Sequence, residues 1–501
     1  MRIKKAPPAV SVFDEYCRSL PQEETARIGE FFRELRGHAL LPHQEQARME
    51  QDFQQALLYY ATAHLALDEA LARLDVKNLG GFYARPPILW YALDDAAKIY
   101  PLSLRQGQMA VFRLSVYLKE PVSPELLQIA LSFTIKRFPS FATTVKKGFF
   151  WHYLDTAKRR FVIGPDTGLP CRPLQVAASG SQSFRVMYYD NRISVEFFHV
   201  LTDGSGGMAF LTALTAEYLR LQGVSCPPAA GLLRVNDTPA AEETANEFHR
   251  AAASGGSGFV DQAAVQMSGR LSAVKPYQIW HFRLDAAELK SAAQGYGCTV
   301  TAYVLAQLFL AGRYATDEQQ GEMNIQVPVN MRKFYPSATV RNFSLYCGVR
   351  LPLSAITTAA EILPEITRQL NEKASQEAMS RMMSATQSLV RAIRYVPLFI
   401  KEPVARLVYG FLGDKIFSNT LSNLGVVKLP PELAAHVDGM DFVLGTAKTN
   451  RAGCSLVTCN GAATLSIAKN TADPSFEERL LELLTDDHLT VSVEGSAPYE
   501  I

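Results

Sequence analysis

The stretch Ile193-Ser-Val-Glu-Phe-Phe-His199-Val-Leu-Thr-Asp203-Gly204 decides the fold of this chain and the chemistry it can carry. Its first seven residues predict an apolar strand, and alternation along that strand turns His199 inward, into a partly desolvated position. An imidazole there is suited to act as a general base near neutral pH. Asp203 can order the following loop, and Gly204 lets the backbone approach closely. The alternative is a core histidine followed by an aspartate that caps a helix.

Strands and helices continue on both sides of this stretch. Residues 184–189 and 193–199 predict a hairpin around Asp190-Asn191. Upstream, residues 111–119 predict a strand, and Ser123-Pro124 is a typical start for the helix that follows. Downstream, the pattern predicts strands at 279–284 and 323–329 and helices at 286–294, 300–314 and 475–484. Mixed strands and helices in two halves predict an α/β or α+β fold with two lobes.

Two regions lie outside this alternation. Residues 1–85 predict a helical N-terminal extension, whose apolar residues between Phe53 and Leu74 fall four and three apart. That spacing fits a partner-binding coiled coil, but a seam this short favours a helix docked on the rest of the chain. Residues 226–275 are rich in Ala, Pro, Gly and Ser and predict a linker or mobile loop. The predicted lobes are therefore 86–225 and 276–501.

Composition excludes several classes of protein. The 501 residues hold 50 basic and 49 acidic side chains, which argues against general nucleic-acid coating. The seven cysteines are scattered without a CxxC pair, so we expect a reducing compartment and a cytoplasmic protein. The N-terminus is not typical of a secretory signal, and no apolar run is long enough for a membrane span. No pair of histidines has metal-ligand spacing, so no metal is expected, and Walker, dinucleotide-binding and GxSxG motifs are missing.

Four segments together resemble one known group. His199-Val-Leu-Thr-Asp203-Gly204 is similar to the H-x-x-x-D-G signature of the chloramphenicol-acetyltransferase-like superfamily, which includes CoA-dependent acyltransferases and the condensation domains of peptide synthetases. The other three, in chain order, are 90–101 with 137–141, 327–332 with 342–346, and 420–425. The resemblance is greatest to the bacterial alcohol-acetyltransferase-like branch and covers about residues 90 to 501. Phe198 stands where many members have a second histidine, which disfavours the peptide-condensing branch.

The resemblance implies a fold of two similar lobes arranged as a pseudo-dimer, with a tunnel between them. His199 would take a proton from an acceptor hydroxyl or amine, which then attacks a thioester carbonyl. Acyl-CoA would be a cosubstrate, with no permanently bound cofactor. Asp203 would pair with an arginine, and we predict Arg332, with Arg341 or a surface arginine as alternatives. For the oxyanion or the substrate, the candidate donors are Ser344, Ser422 and Asn423, which could equally cap turns.

Three functions remain open from sequence. The first is a CoA-dependent O-acyltransferase whose acceptor is a small or lipid-like alcohol or amine. The second is a condensation-type enzyme that uses a separate carrier protein as thioester donor, and the third is a noncatalytic binding or assembly protein on the same fold. Residues 388–412 also combine apolar and basic side chains, which can indicate membrane contact. Pro397 and Pro403 interrupt that segment, so packing against the core is favoured there.

Overall fold

The computed structural model describes residues 11–85, 87–102, 109–157, 160–174, 182–250, 262–404, 415–445 and 450–499. The helices are α1 Val12–Ser19, α2 Gln22–His38, α3 His43–Thr62, α4 Leu67–Arg73, α5 Ile99–Leu102, α6 Pro124–Thr134, α7 Gly204–Leu221, α8 Ala286–Gly295, α9 Val300–Tyr314, α10 Ala359–Lys373, α11 Gln376–Ala392, α12 Pro431–Ala434 and α13 Ser475–Asp486. The strands are β1 Trp90–Ala92, β2 Val111–Leu118, β3 Thr143–Lys147, β4 His152–Thr156, β5 Ile163–Pro165, β6 Phe184–Tyr189, β7 Arg192–Phe198, β8 Gln278–Asp285, β9 Glu322–Asn330, β10 Ser344–Pro352, β11 Asn419–Val427, β12 Val437–Leu444, β13 Ala452–Cys459, β14 Ala462–Lys469 and β15 Val491–Gly495.

Two large sheets define two lobes. The first lobe has the strand order β12-β2-β7-β6-β5, and α7 packs on β2 while α6 packs on α7. The second lobe has the order β10-β9-β11-β13-β14-β8-β15, and α8, α9 and α10 pack on its strands. A third, small sheet in the first lobe has the strand order β1-β4-β3. Each large sheet therefore has its own apolar core of sheet and helix side chains.

One strand crosses between the lobes. β12 lies within the range 276–501 that the sequence assigns to the second lobe, yet it pairs antiparallel with β2 of the first lobe. The register runs from Val437 opposite Leu118 to Leu444 opposite Phe112. The first sheet is thus completed by a strand from late in the chain.

The N-terminal helices belong to the core of the first lobe. The Phe53 side chain of α3 is fully buried, and its ring lies 6.1 Å from that of Phe133 on α6. The Tyr60 hydroxyl donates a hydrogen bond of 2.6 Å to the carbonyl oxygen of Leu221 at the end of α7. The predicted continuous helix from Phe53 to Leu74 is wrong, because His64 adopts a left-handed backbone (φ 55°) that separates α3 from α4.

The region between the lobes is packed where the structure describes it. Residues Ala241–Thr244 and Glu247–Arg250 form two 3-10 turns, and Glu243 and Glu247 are buried. Arg137 forms a two-pronged ion pair with Glu243, with one contact at 2.8 Å. These residues are anchored to the first lobe by that ion pair, and the assignment of 226–275 as a linker or mobile loop stays a prediction. The Gly- and Ser-rich run at 251–261 lies outside the described residues.

Candidate active site

His199 follows β7 directly and is held by aromatic neighbours. Its backbone N–H donates to the carbonyl oxygen of Ala110 at 2.7 Å, which continues the sheet by one residue. The Tyr100 ring stacks on the imidazole with centroids 4.9 Å apart, and the Phe112 ring contacts it edge-on at 5.2 Å. The neighbouring residue Phe198 is fully buried, whereas His199 keeps part of its surface accessible. The imidazole therefore lies at the boundary between the core and solvent, as the strand alternation predicts.

Asn342 binds His199 at two points and fixes the protonation of its ring. The carbonyl oxygen of His199 can only accept, so the atom facing it at 2.5 Å is the Asn342 Nδ2 donor. The Asn342 Oδ1 acceptor then faces the His199 Nδ1 at 2.8 Å, and Nδ1 must carry the hydrogen. In the neutral ring, Nε2 consequently keeps its lone pair. This is the tautomer that a general base acting through Nε2 requires.

The surroundings favour the neutral form of this imidazole. Burial lowers the pKa of His199 below its ordinary value of 6.5, because the charged ring loses solvation. The nearby Asp203 carboxylate and the hydrogen bond that Nδ1–H donates to Asn342 oppose this shift and do not cancel it. His199 is therefore neutral and able to accept a proton at neutral pH.

Asp203 is fully engaged in structural hydrogen bonds. Its Oδ1 accepts from the backbone N–H of Gly206 at 3.0 Å, which caps the N-terminus of α7. Its Oδ2 accepts from Arg332 Nη1 at 2.7 Å and from the backbone N–H of Phe343 at 2.7 Å. With three donors on a buried carboxylate, Asp203 is placed to organise the site and not to carry a proton.

Arg332 joins the two lobes at this point. Besides Asp203, its guanidinium donates to the carbonyl oxygens of Thr339 at 2.8 Å and Arg341 at 2.8 Å. The structure thus places Arg332 in the pairing that the sequence assigned to it. The alternative, Arg341, instead lies 3.1 Å from the carboxylate of Asp94. Both arginines are held in fixed positions by backbone oxygens as well as by carboxylates.

The glycines after Asp203 permit close packing between the lobes. A Cβ on Gly204 would lie 2.5 Å from Leu424 Cδ2, the end of a side chain that can move. A Cβ on Gly206 would lie 2.0 Å from the carbonyl oxygen of Val340 and 2.3 Å from Thr202 Oγ1. Gly206 is therefore the more stringent position, although the sequence singled out Gly204. Backbone of the second lobe approaches α7 too closely there for any side chain.

The three predicted oxyanion donors lie on second-lobe strands, and none of the described hydrogen bonds joins them to His199. Ser344 begins β10 opposite Asn330. Ser422 pairs in register with Ser455 inside the second sheet. Asn423 is used locally, because its Nδ2 donates to Thr301 Oγ1 at 3.0 Å and its Oδ1 accepts from Gly425 N–H at 2.7 Å. Their role at an oxyanion stays a prediction.

Sequence reasoning missed the residues that touch the imidazole. Asn342 begins the segment 342–346 that carried the resemblance, but its pairing with a residue 143 positions away leaves no local signal. Asp94 is a second omission, since it is fully buried beside Arg341. Burial raises the pKa of Asp94 to about 7, with Asp203 adding to the rise and Arg341 opposing it.

In the described ranges, no group of three or more His, Cys, Asp or Glu side chains is arranged to hold a metal ion. Across those ranges, no single helix is both long enough and apolar enough to cross a bilayer. Taken together, α8 and α9 have the necessary length and apolar composition, but the pair is bent by 81°.

Comparison with known proteins identifies the fold. No protein-family model and no curated protein sequence matches the chain. Among solved structures, TRI101 of F. graminearum complexed with ethyl coenzyme A aligns over 81% of this chain and 100% of its own, with a TM-score of 0.54 and 11% identity. The TRI3 trichothecene 15-O-acetyltransferase of Fusarium sporotrichioides aligns over 80% and 94%, with a TM-score of 0.53 and 11% identity. The first condensation domain of the calcium-dependent antibiotic synthetase, in complex with a substrate analogue, aligns over 81% and 99%, with a TM-score of 0.52 and 13% identity. The predicted fold class is confirmed: the chain has the same two-lobed fold as these three structures.

Proposed function

We propose that this protein transfers an acyl group from a thioester to a hydroxyl or amine acceptor, with His199 as general base and acyl-CoA as donor. The observation that carries the proposal is the double contact between Asn342 and His199, which leaves the Nε2 lone pair of a neutral imidazole for a substrate. Asp203 and Arg332 support the same loop from the opposite side. A histidine in this tautomer, at a junction of lobes, suits base catalysis better than a purely structural role.

The reaction proceeds by direct transfer. Nε2 of His199 takes the proton from the acceptor O–H or N–H while the oxygen or nitrogen attacks the thioester carbonyl carbon. The resulting tetrahedral oxyanion collapses, the C–S bond breaks, and the leaving thiolate takes the proton from the imidazolium. The products are an ester or amide and a free thiol, and His199 returns to its neutral form. No acyl-enzyme is needed, because binding both substrates beside one imidazole supplies proximity as well as base catalysis.

The oxyanion requires a hydrogen-bond donor from the second lobe. The amide of Asn423 is already engaged with Thr301, so among the predicted residues the hydroxyls of Ser344 and Ser422 are the better candidates. The acyl chain and acceptor would enter a tunnel between the lobes, as the resemblance implies. Stacking by Tyr100 keeps the imidazole plane fixed while they meet.

One residue favours CoA over a carrier protein as the thioester donor. Condensation-domain members of the fold often have a histidine immediately before the catalytic one, where this chain has Phe198. The Phe198 side chain is fully buried and can take no part in chemistry at the site. The acetyltransferase neighbour complexed with ethyl coenzyme A supports the same choice. Carrier-protein transfer remains the second candidate, because a condensation domain shares the fold to a similar extent.

The test is a thiol-release assay with acyl-CoA donors of increasing chain length against a panel of alcohols and amines. Wild type should release thiol above background with at least one pair, and His199→Ala should lose about 10²- to 10⁴-fold in rate. His249→Ala is the matched control, since His249 is an exposed histidine bonded to a backbone oxygen. Acylated carrier proteins, supplied in place of acyl-CoA, distinguish the second candidate. Equal release above background by wild type and His199→Ala would refute His199 as the base. Release by wild type no faster than the enzyme-free background with every donor would leave only a noncatalytic role.

A further inference from the structure

A group of large apolar side chains on the first lobe and the adjacent second-lobe segment faces solvent. Two segments contribute: the β3–β4 turn and residues 395–404 after α11. The exposed fractions are Phe149 65%, Phe150 39%, Tyr395 71%, Phe399 64%, Ile400 46% and Val404 56%. We call these six residues the aromatic face. Single exposed apolar residues are ordinary on a protein surface, but a contiguous group marks a site of interaction.

The two segments form one continuous surface. The backbone N–H of Leu398 donates to the carbonyl oxygen of Phe149 at 2.8 Å, which fixes the segments side by side. The Phe150 ring contacts that of Phe149 edge-on at 4.8 Å and that of Tyr395 at 6.2 Å. The aromatic face is therefore a built feature and not a set of unrelated side chains.

The short helix at 398–404 buries a lysine and exposes two large apolar side chains. Lys401 turns inward and is 5% exposed, and its Nζ donates to the carbonyl oxygen of Phe150 at 2.8 Å and lies 3.4 Å from the Trp151 ring centroid. Leu398, one turn before Lys401, is buried as well, whereas Phe399 and Ile400 between them point outward. A helix in contact with water normally presents its charges to solvent and its apolar residues to the core. This arrangement suits an apolar environment outside the protein.

The charges around the aromatic face are basic. Residues 146–152 and 389–404 hold four basic side chains that are not buried, Lys146, Lys147, Arg391 and Arg394, against one acidic side chain, Glu402; a fifth basic residue, Lys401, is buried. Glu402 is paired with Lys147 at 2.8 Å. Arg391 and Arg394 are exposed, and the Arg394 guanidinium lies over the Tyr395 ring at 4.5 Å. The face therefore combines outward aromatic and aliphatic groups with a positive rim.

We propose that the aromatic face binds the surface of an anionic lipid bilayer. Aromatic and aliphatic side chains enter the boundary between headgroups and acyl chains, while arginines and lysines contact negative headgroups. Pro397 does separate α11 from the short helix at 398–404, whereas Pro403 lies within that helix, and residues 405–412 of the predicted segment lie outside the described residues. The outward residues come from these short elements instead of one long helix. Beneath the face, the Trp151 ring centroid lies 5.6 Å from the Nζ of Lys98. Lys98 is two residues before Tyr100, whose ring stacks on His199. The bilayer would thus contact the side of the protein that carries one wall of the site, which goes beyond the proposed acyl transfer and does not depend on it.

Co-sedimentation of the full-length protein with vesicles tests the proposal. Vesicles of phosphatidylcholine alone are compared with vesicles that also contain phosphatidylglycerol. Wild type should sediment with the anionic vesicles, and added salt should weaken the binding. Phe399→Ser/Ile400→Ser should lower the partition coefficient at least about tenfold, because two large side chains no longer leave water. Phe149→Ser, on the other segment, should also weaken binding.

The control is Leu40→Ser/Val426→Ser, which removes two apolar side chains of similar exposure, 63% and 67%, from other elements. It should bind anionic vesicles as wild type does. Circular dichroism and thermal unfolding confirm that each variant is folded. The proposal is overturned if wild type stays in the supernatant with both vesicle types, or if the control loses as much binding as the test variant. A wild-type dimer in sedimentation velocity that Phe399→Ser/Ile400→Ser converts to monomer would overturn it as well, by assigning the face to a second copy of the chain.

Discussion

Replacing Asn342 with alanine tests the central geometry of the site. The change removes both contacts to His199, at Nδ1 and at the backbone oxygen, which measure 2.8 and 2.5 Å. Neutral hydrogen bonds contribute about 0.5–1.5 kcal/mol each, so their loss is worth about 1–3 kcal/mol. Since about 1.36 kcal/mol corresponds to a tenfold rate change, we expect kcat to fall about 5- to 150-fold. The imidazole would then sample the tautomer in which Nε2 carries the hydrogen and cannot accept a proton.

The pH dependence of the same variant separates this effect from a general loss of structure. Activity requires the neutral ring, so kcat/KM falls as the pH drops through the His199 pKa, which lies below 6.5 in wild type. The Asn342 hydrogen bond raises that pKa, so Asn342→Ala should move the acid limb to lower pH. Asn342→Asp places a carboxylate near Nδ1 and should move the limb to higher pH.

Two measurements check this reasoning. One is the pH profile of thiol release, and the other is the nitrogen NMR spectrum of histidine-labelled protein, assigned with His199→Ala, which reports the tautomer without any substrate. Asn236→Ala is the matched control, because Asn236 also makes two side-chain hydrogen bonds, with Lys136 and Asn78, but none to His199. A wild-type ring protonated on Nε2 in its neutral form would refute the reasoning. So would an Asn342→Ala variant with an unchanged rate and acid limb.

Four further substitutions test how the lobes and the extension are joined. Gly206→Ala should prevent a stable fold while Gly204→Ala is tolerated with a smaller loss, and equal thermal stability of the two would contradict the packing described for them. Arg332→Ala should lower the free energy of unfolding by roughly 3–5 kcal/mol, because it leaves the buried Asp203 carboxylate without its counter-charge. Urea denaturation measures the change, and a loss below about 1 kcal/mol would count against a buried pair. Phe53→Ala should cost about 3–5 kcal/mol, since that side chain is fully buried between the extension and the first lobe. An unchanged urea midpoint would show that the extension is not part of the core.

Local patterns predicted the elements that make the site. The hairpin of β6 and β7 follows from alternation around Asp190, whose φ of 47° supplies the turn. The start of α6 at Ser123 and the cap of α7 at Asp203 follow from short polar residues before apolar runs. The order of the four motifs was sufficient to predict the two-lobed fold. For the hairpin and the two helix starts, the signal lies within a few residues of the feature.

Non-local features were not predictable in this way. The contact between His199 and Asn342 depends on how two distant strands meet, and no property of either residue alone indicates it. The break after α3 was not predicted, because α3 and α4 bury apolar residues against the same lobe. The spacing of those apolar residues therefore continues across the turn at His64. The outward side chains at 399 and 400 were not predicted, because a lysine, Lys401, shares the buried side of that helix with Leu398.

The crossing of β12 bears on how the chain is made. Synthesis proceeds at about 5–20 residues per second, and roughly 250 residues separate the end of β7 from the end of β12. Once β7 has been made, the free hydrogen-bonding edge of β2 therefore stays uncovered for about 10–50 s, until β12 has been made. An uncovered edge of this kind is a template for pairing with other chains. Slow codons or a bound chaperone after β7 would prolong that interval, and separate expression of the two halves would make it permanent.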